Sequence, residues 1–259
     1  MLVSPPPPLL VALMSLVSLW LIELKAFYWP LPPNRYRHAL VNISMGLLAL
    51  GLLGLLTGAI VVLAFALRDI PLGILNWLRL PLFFETVLGL VFYDLGNYWV
   101  HRTQHIFPIL WKIHRAHHTD TYIDVTSSLR FHPLESIYRA FFLGCVVVIF
   151  GISPYSILAY GVLVAFALPL SHANLAIPEK WESWSQYGIV LPLQHRIHHS
   201  PIRAQHDTNY AIVFLWWDHL FGTYLSPTKV QNLQTGLEGI SKERSERIAL
   251  ILREPFAPA

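Results

Sequence analysis

Histidine is the residue type whose number and spacing could support chemistry in this sequence. Of the 13 histidines in 259 residues, eight lie in three short motifs, HRTQH (residues 101–105), HRAHH (114–118) and HRIHH (195–199). In a helix, His101 and His105 are one turn apart, and each HxxHH motif places its three rings on one side of a turn. Neutral imidazoles grouped in this way can bind metal ions, and adjacent members of one motif can reach different ions.

The rest of the composition strengthens the metal interpretation. The chain is 54% hydrophobic and 13% charged, with a mean hydropathy of +0.49, which is typical of a membrane protein. Ionisable side chains near a bilayer are costly unless they are paired, hydrated or coordinated, so the clustered histidines need a compensating partner. Their number exceeds the ligands that one ion accepts and favours a dinuclear centre. Imidazole suits iron, zinc and copper alike.

Cysteine usage and charge exclude other classes. The single cysteine, Cys145, lies in an apolar run, so an internal disulfide framework and a CxxC site are excluded. A structural zinc site, which prefers cysteine, is disfavoured as well. The net charge of +3 is spread along the chain and predicts no nucleic-acid partner.

Apolar stretches long enough to cross a bilayer must position the histidines. There are four of them, at residues 9–29, 39–67, 80–100 and 140–171. The fourth is too long for one crossing at about 1.5 Å per helical residue. Gly151, Ser153 and Pro154 predict a break near its middle, and hence a hairpin of two helices. These stretches predict an all-α integral membrane protein with about four transmembrane or hairpin helices.

The distribution of basic residues predicts the orientation. Arg35 and Arg37 fall on the same side as the basic residues that follow the third span, whereas Arg68 and Arg79 fall on the opposite side. The positive-inside rule then places the N-terminus outside and both histidine-rich segments in the cytoplasm. We expect a single membrane-embedded domain over residues 1–259, with transmembrane helices in 1–79, the histidine motifs in 80–225 and a polar tail in 226–259. Within the tail, residues 241–253 suit a surface helix.

The motifs resemble, in order and spacing, those of the fatty acid hydroxylase and sterol desaturase superfamily of integral-membrane di-iron oxygenases. The resemblance runs from Leu80 to Leu225 and pairs HRTQH with the family's HxxxH box and the other two motifs with its HxxHH boxes. LRFHPLE (129–135), SHAN (171–174) and DHLFGTY (218–224) resemble further family elements. The resemblance implies transmembrane helices capped by a cytosolic helical lobe that holds the metal site.

The same resemblance implies a set of metal ligands. They are His101, His105, His114, His117, His118, His172, His195, His198 and His199. His132 is a further candidate, although Pro133 and Glu135 also suit an ordinary helix start. Some relatives carry an additional histidine where this chain has Ala176. Asp94 and Asp218 are candidate acceptors that would fix imidazole tautomers, or alternatively helix caps or solvated acids.

The activity implied by the resemblance is O2-dependent hydroxylation or desaturation of a lipid, such as a sterol, a fatty acyl chain or another alkyl lipid. It implies two iron ions (Fe2+/Fe3+) as cofactor, O2 as co-substrate and no catalytic side chain apart from the ligands. Electrons would come from an external donor, a small cytochrome or ferredoxin with its reductase. A divalent-metal transporter and a zinc-dependent membrane hydrolase are the alternatives. The charge-free spans give a transporter no polar path, and a zinc hydrolase would need neither iron nor electrons.

Overall fold

Helices dominate the computed structural model, which describes residues 7–70 and 72–257. The membrane part contains α1 (Pro8–Ile22), α2 (Arg35–Leu67), α3 (Ile74–Leu78), α4 (Leu82–Ile106), α6 (Pro133–Phe150) and α7 (Pro154–His172). The lobe contains α5 (Pro108–His118), α8 (Glu179–Ser185), α9 (Pro192–His198), α10 (Arg203–His206), α11 (Trp216–Leu220), α12 (Lys242–Ser245) and α13 (Ile248–Ile251). Short 3-10 turns lie at Val125–Leu129, Pro227–Lys229 and Glu254–Phe256. Extended pairing in the described ranges is limited to the isolated bridges Phe27–Leu175 and Ile189–Phe214. The predicted all-α membrane fold is therefore confirmed.

Among the described residues, three helices, α2, α6 and α7, are long and apolar enough to cross a membrane, and α4, which contains most of the third predicted span, is not one of them. The predicted hairpin of α6 and α7 turns at Gly151, which adopts a left-handed conformation (φ 67°) at the end of α6, a position that favours glycine. Ser153 caps α7 by accepting a hydrogen bond from the amide of Ser156, and Pro154 occupies the first helical position. The helix α7 thus returns to the end of the bundle from which α6 started.

The apolar core holds α4, α6 and α7 together directly beneath the lobe. Tyr93 and Val100 of α4 pack with Val147 of α6 and Tyr160 of α7. At Gly89 the backbone of α4 comes so close to α7 that an added Cβ would lie 2.3 Å from Oγ of Ser156. This packing fixes α4 against α7, and the lobe-side ends of these helices carry the HRTQH motif and His172.

The first predicted span, residues 9–29, is wrong in its extent. Its helix, α1, ends at Ile22 after 15 residues, fewer than the roughly 20 needed to cross hydrocarbon. The chain leaves the helix because Glu23 turns inward and is fully buried. Its carboxylate pairs with Arg35 at 2.5 Å and accepts hydrogen bonds from the amides of Val125 (2.8 Å) and Asn174 (2.7 Å). The chain thereby anchors α1 to the lobe.

The C-terminal segment also differs from the prediction of one surface helix over residues 241–253. It forms two short helices, α12 and α13, followed by a 3-10 turn. Ile251 packs against Val41 and Met45 of α2 and Ala116 of α5. Glu254 is buried and forms an ion pair with Arg115 of α5 at 2.7 Å. The segment breaks into short pieces because it follows the surface of the lobe that it covers.

Candidate metal centre

The end of α4 and the whole of α5 supply five of the histidines. His101 and His105 lie in the last turns of α4. Phe107 then adopts an extended conformation, and Pro108 starts α5. Proline favours the first position of a helix and disfavours helical conformation at the residue before it. The chain therefore turns sharply, and α5 carries the HRAHH motif back alongside the end of α4.

The other histidines come from α7 and α9. His172 is the last residue of α7. Pro192 starts α9, and the side chain of Gln194 caps it by accepting a hydrogen bond from the amide of Leu191 at 3.0 Å. The HRIHH motif thus begins in the first turns of α9 and ends at its C-cap, His199.

Nine histidines converge into two adjacent groups whose nitrogen atoms lie within 4.8 Å of one another in each group. Group A consists of His101, His105, His114, His118 and His198, and group B consists of His117, His172, His195 and His199. All nine are buried. The adjacent residues His117 and His118 face different groups, as do His198 and His199. Each HxxHH motif therefore contributes to both groups.

The ring nitrogens fit a bound cation. His101 and His114 direct Nδ1 at the carbonyl of Tyr210 (2.6 Å) and the carboxylate of Glu135 (3.2 Å). A neutral ring that donates from Nδ1 has a lone pair at Nε2, yet these two Nε2 atoms are only 3.1 Å apart. Two lone pairs facing each other at this distance repel unless a cation lies beside them.

Group B repeats the arrangement. Nδ1 of His117 donates to the carbonyl of Arg130 (3.0 Å), and Nδ1 of His172 donates to the carbonyl of Leu168 (2.9 Å). Their Nε2 atoms are 3.2 Å apart, and Nε2 of His195 lies 3.0 Å from that of His172. The ligand atoms of this group are therefore also oriented toward one point.

Burial keeps the rings neutral and leaves several nitrogens without partners. It lowers the pKa of His117, His118 and His199 well below the ordinary value of imidazole, and neutral imidazole is the form that binds metals. Nε2 of His105, Nε2 of His198 and both ring nitrogens of His118 are buried without a hydrogen-bond partner. Each such atom costs about 1–3 kcal/mol, which metal coordination would offset.

The hydrogen-bond acceptors that orient the imidazole rings differ from those expected from the sequence. Asp94 accepts hydrogen bonds from Tyr160 (2.9 Å) and Trp217 (2.8 Å) and so ties α4 to α7 and α11. Asp218 accepts from the amides of Tyr210 (2.8 Å) and Ala211 (2.9 Å). Asp218 thus acts one step away, by fixing the loop whose Tyr210 carbonyl holds His101.

Two carboxylates and four carbonyls contact the imidazoles directly instead. The carboxylates are Glu135 for His114 and Asp207 for His105, and the carbonyls belong to Leu168, Arg130, Thr208 and Tyr210. Backbone carbonyls carry no sequence signal. Glu135 could have been found from its place in the LRFHPLE element, and Asp207 from its position next to His206.

His132 lies outside both groups. It caps α6, where its Nδ1 accepts a hydrogen bond from the amide of Leu134 at 3.2 Å. Its Nε2 donates to the carbonyl of Leu252, also at 3.2 Å. Both ring nitrogens are thus engaged with the backbone, as suits the helix start that Pro133 and Glu135 indicate.

Group A borders a cavity of about 470 Å³ on the lobe. His105, Trp111, Arg115, His206 and Asp207 are among the residues that line it. The ring of His206 stacks on Trp111 with 5.1 Å between centroids, and Trp111 lies 4.8 Å from His105. The cavity therefore gives group A an approach from the lobe surface.

Comparison with known proteins gives a family match over the same region. The sequence model of the fatty acid hydroxylase family matches residues 86–223, a range that contains all three histidine motifs. No solved structure matches the chain.

Several curated proteins are similar to the chain. Ornithine lipid hydroxylase OlsE of Rhizobium tropici is 29% identical over 161 residues, which are 61% of this chain and 47% of that protein. Alkylglycerol monooxygenase of Homo sapiens is 28% identical over 214 residues, 82% of this chain and 45% of that protein. Delta(7)-sterol 5(6)-desaturase ERG3B of Gibberella zeae is 26% identical over 152 residues, 59% and 44% of the two chains. The matches thus span about half the length of these relatives.

Proposed function

Since the chain belongs to the fatty acid hydroxylase family, we propose that it is an O2-dependent oxidoreductase that hydroxylates or desaturates a membrane lipid at a di-iron centre. The observation that carries the proposal is the convergence of nine buried histidines into two adjacent groups. The three relatives support it, because they are a lipid hydroxylase, an alkylglycerol monooxygenase and a sterol desaturase.

Group A would hold one iron ion and group B the other. Two bound iron ions would supply the redox chemistry that lets O2 attack an unactivated C–H bond. The protein's own contribution is to fix the rings. The Nδ1 contacts to carbonyls and carboxylates set the tautomer and aim Nε2 at the ion, while burial excludes bulk water from both groups. His132, which is engaged at both nitrogens, would remain a helix cap.

The proposed substrate is a lipid that approaches from the bilayer. Group B includes the last residue of α7, so the centre lies at the membrane end of the lobe. An alkyl chain could reach such a site without leaving apolar surroundings. Hydroxylation is favoured over desaturation, because the relatives with 29% and 28% identity are a hydroxylase and a monooxygenase.

Electrons would come from a separate small cytochrome or ferredoxin with its reductase. The cavity beside group A supports an approach from the lobe, and Arg203, which also lines it, has a side chain that is 83% exposed. Such a residue would favour an acidic donor. We place the lobe in the cytoplasm, because Arg35 lies at the lobe end of α2 whereas Arg68 lies at the opposite end, and basic residues concentrate on the cytoplasmic side.

Lipid profiling of membranes under 18O2 tests the proposal. Cells that express the chain with a reductase system should accumulate a lipid heavier by one labelled oxygen, or lighter by two hydrogens if the outcome is desaturation. The purified protein should contain two iron ions per chain, and His198→Ala should abolish the product, whereas His132→Ala should retain it. A product that forms without O2 and reductant would favour a zinc hydrolase and contradict the proposal. A metal transporter would change metal uptake and leave the lipids unaltered.

A further inference from the structure

The short helix α8 has an inverted distribution of polar and apolar side chains. Glu182 and Ser185 are buried, whereas Trp181 and Trp184 are 59% and 67% exposed. The exposed apolar surface continues at Tyr187, which is 77% exposed. A helix on the surface of a soluble domain turns its apolar side inward, so α8 suits an apolar environment outside the protein.

Contacts with α9 explain the buried polar side of α8. Oε1 of the Glu182 side chain accepts a hydrogen bond from the amide of Leu193 at 3.3 Å. The side-chain amide of Gln194 donates to the carbonyl of Glu182 (3.0 Å) and to Oγ of Ser185 (2.8 Å). Leu193 and Gln194 directly precede His195 of group B. The inner side of α8 is therefore bound to the helix that supplies ligands to both groups.

The position of α8 indicates what covers its outer side. The membrane-spanning helix α7 has 19 residues, about 28 Å at 1.5 Å per residue, which is close to the hydrocarbon thickness of roughly 30 Å. The chain thus leaves the hydrocarbon near His172, and α8 starts seven residues later. Tryptophan and tyrosine are enriched at this depth because their rings are apolar and their N–H and O–H groups are polar.

A second segment presents aromatic side chains at the same level. Phe27 and Tyr28, which follow α1, are 46% and 44% exposed. Phe27 bridges to Leu175, and the amide of Tyr28 donates to the carbonyl of Asn174 at 3.1 Å. Two separate parts of the chain thus place exposed aromatic residues beside the end of α7, which points to one continuous membrane-facing surface.

We propose that residues 175–189, together with Phe27 and Tyr28, form an interfacial foot that lies in the lipid leaflet next to the lobe. The occupant of this surface is the lipid headgroup region, with the rings of Trp181, Trp184 and Tyr187 inserted into it. Lys180 is exposed beside them and suits anionic headgroups. Because α8 is hydrogen-bonded to α9, the foot fixes the distance between group B and the lipid leaflet. This contact is additional to the transmembrane helices.

Spin-label accessibility measures the proposed depth directly. In a Cys145→Ala background, which removes the one native cysteine, single labels are introduced with Trp184→Cys and Tyr187→Cys. Leu55→Cys, on the exposed side of α2, is the lipid control, and Arg203→Cys is the lobe control. The chain is reconstituted in nanodiscs of phosphatidylcholine and phosphatidylglycerol. Collision rates with O2, which concentrates in lipid, are compared with those of a water-soluble nickel chelate.

The labels at positions 184 and 187 should give O2-to-nickel ratios between those of the two controls. A ratio equal to that at position 203 would overturn the proposal. Low accessibility to both reagents with spin–spin broadening would also overturn it, since a second copy of the chain would then cover this face. Depth is measured without iron or turnover, so the result is independent of the proposed function.

Lipid photo-crosslinking tests the unmodified chain. A phosphatidylcholine that carries a diazirine near its headgroup is incorporated into the same nanodiscs, and tryptic peptides are analysed by mass spectrometry. Cleavage after Lys180 and Arg196 isolates residues 181–196. We expect lipid adducts on Trp181, Trp184 or Tyr187. Adducts confined to the transmembrane helices would contradict the foot.

Discussion

The two histidine groups share α5 and α9 but are held in different ways. In group A, four of the five rings are fixed at Nδ1, two of them by carboxylates, Glu135 and Asp207. In group B, carbonyls fix His117 and His172, while Nδ1 of His195 and Nδ1 of His199 have no partner. Group A also borders the cavity on the lobe through His105.

This difference separates two ways of building a metal site. A carboxylate that accepts a hydrogen bond from Nδ1 makes the imidazole a stronger electron-pair donor toward the metal ion. Metal affinity at group A therefore depends on side chains that mutation can replace. Affinity at group B depends on the backbone at Arg130 and Leu168, which the surrounding fold holds in place. Substitutions of acceptors should therefore affect group A selectively.

Removal of a ligand should have the largest effect. His198→Ala should empty group A, and His195→Ala should empty group B, so that each variant retains one of two metal ions. Metal analysis of purified protein measures this outcome, and chemical labelling of the vacated histidines identifies the emptied group. His132→Ala is the control. It should keep both ions and lose only about 1 kcal/mol of stability, the usual contribution of a helix cap. Full metal content in either ligand variant would contradict the proposal that each group of histidines binds its own metal ion.

Glu135→Gln should weaken metal binding at group A alone. Glutamine keeps an oxygen that can accept from His114 but lacks the charge, and loss of such an acceptor typically lowers affinity by about 10–100-fold. Competition with a chelator measures the affinities of the two ions separately. Glu243→Gln, a change of the same type at an exposed residue, should leave both affinities unaltered. Equal weakening of both ions would indicate that the groups are coupled rather than distinct.

Asp207→Asn should have a smaller effect in the same direction. Its side chain is 31% exposed and also pairs with Arg203 at 3.0 Å, so water can replace part of its interaction with His105. We expect affinity at group A to fall by less than in Glu135→Gln, toward the lower end of the roughly 10–100-fold range. Arg203→Gln, which removes the surface pair and keeps the contact with His105, is the matched control. A larger loss of metal affinity for Asp207→Asn than for Glu135→Gln would contradict the inference that the buried acceptor has the stronger effect.

The family and the histidines were predictable from the sequence because motif spacing is local. The resemblance over residues 80–225 is confirmed by the family match to residues 86–223. The helical positions of His114, His117 and His118 follow from the 3.6-residue period alone. The break between α6 and α7 is predictable for the same reason, because Gly151 and Pro154 determine the backbone conformation at their own positions.

The supporting contacts were not predictable, because they join residues far apart in the chain. Arg130 is buried and donates to Asn42 of α2 (2.8 Å) and to the carbonyl of Ser245 (2.9 Å), while its own carbonyl holds His117. Nothing in the order of residues links these positions. The end of α1 at Ile22 has the same origin, because burial of Glu23 depends on Arg35 and on distant backbone amides. Proximity to the motifs suggests that Asp94 and Asp218 orient the imidazoles. Tertiary packing instead leads Asp94 to accept hydrogen bonds from Tyr160 and Trp217, and Asp218 to accept them from the amides of a loop.

The smallest effect concerns Glu182, a carboxyl that reaches group B only through α9. Burial raises its pKa from an ordinary 4.5 to about 7. Between these two pH values the folded chain retains a proton that the unfolded chain has lost. The stabilisation from this group is therefore complete below pH 4.5 and is lost as the pH rises through about 7. Metal-free wild-type protein should lose stability over this interval relative to Glu182→Gln, as measured by denaturant unfolding at several pH values. The difference between the two proteins isolates Glu182 from the histidines. If that difference were independent of pH, the pKa of Glu182 would be the same in the folded and the unfolded chain, which would contradict a buried, protonated Glu182 against α9.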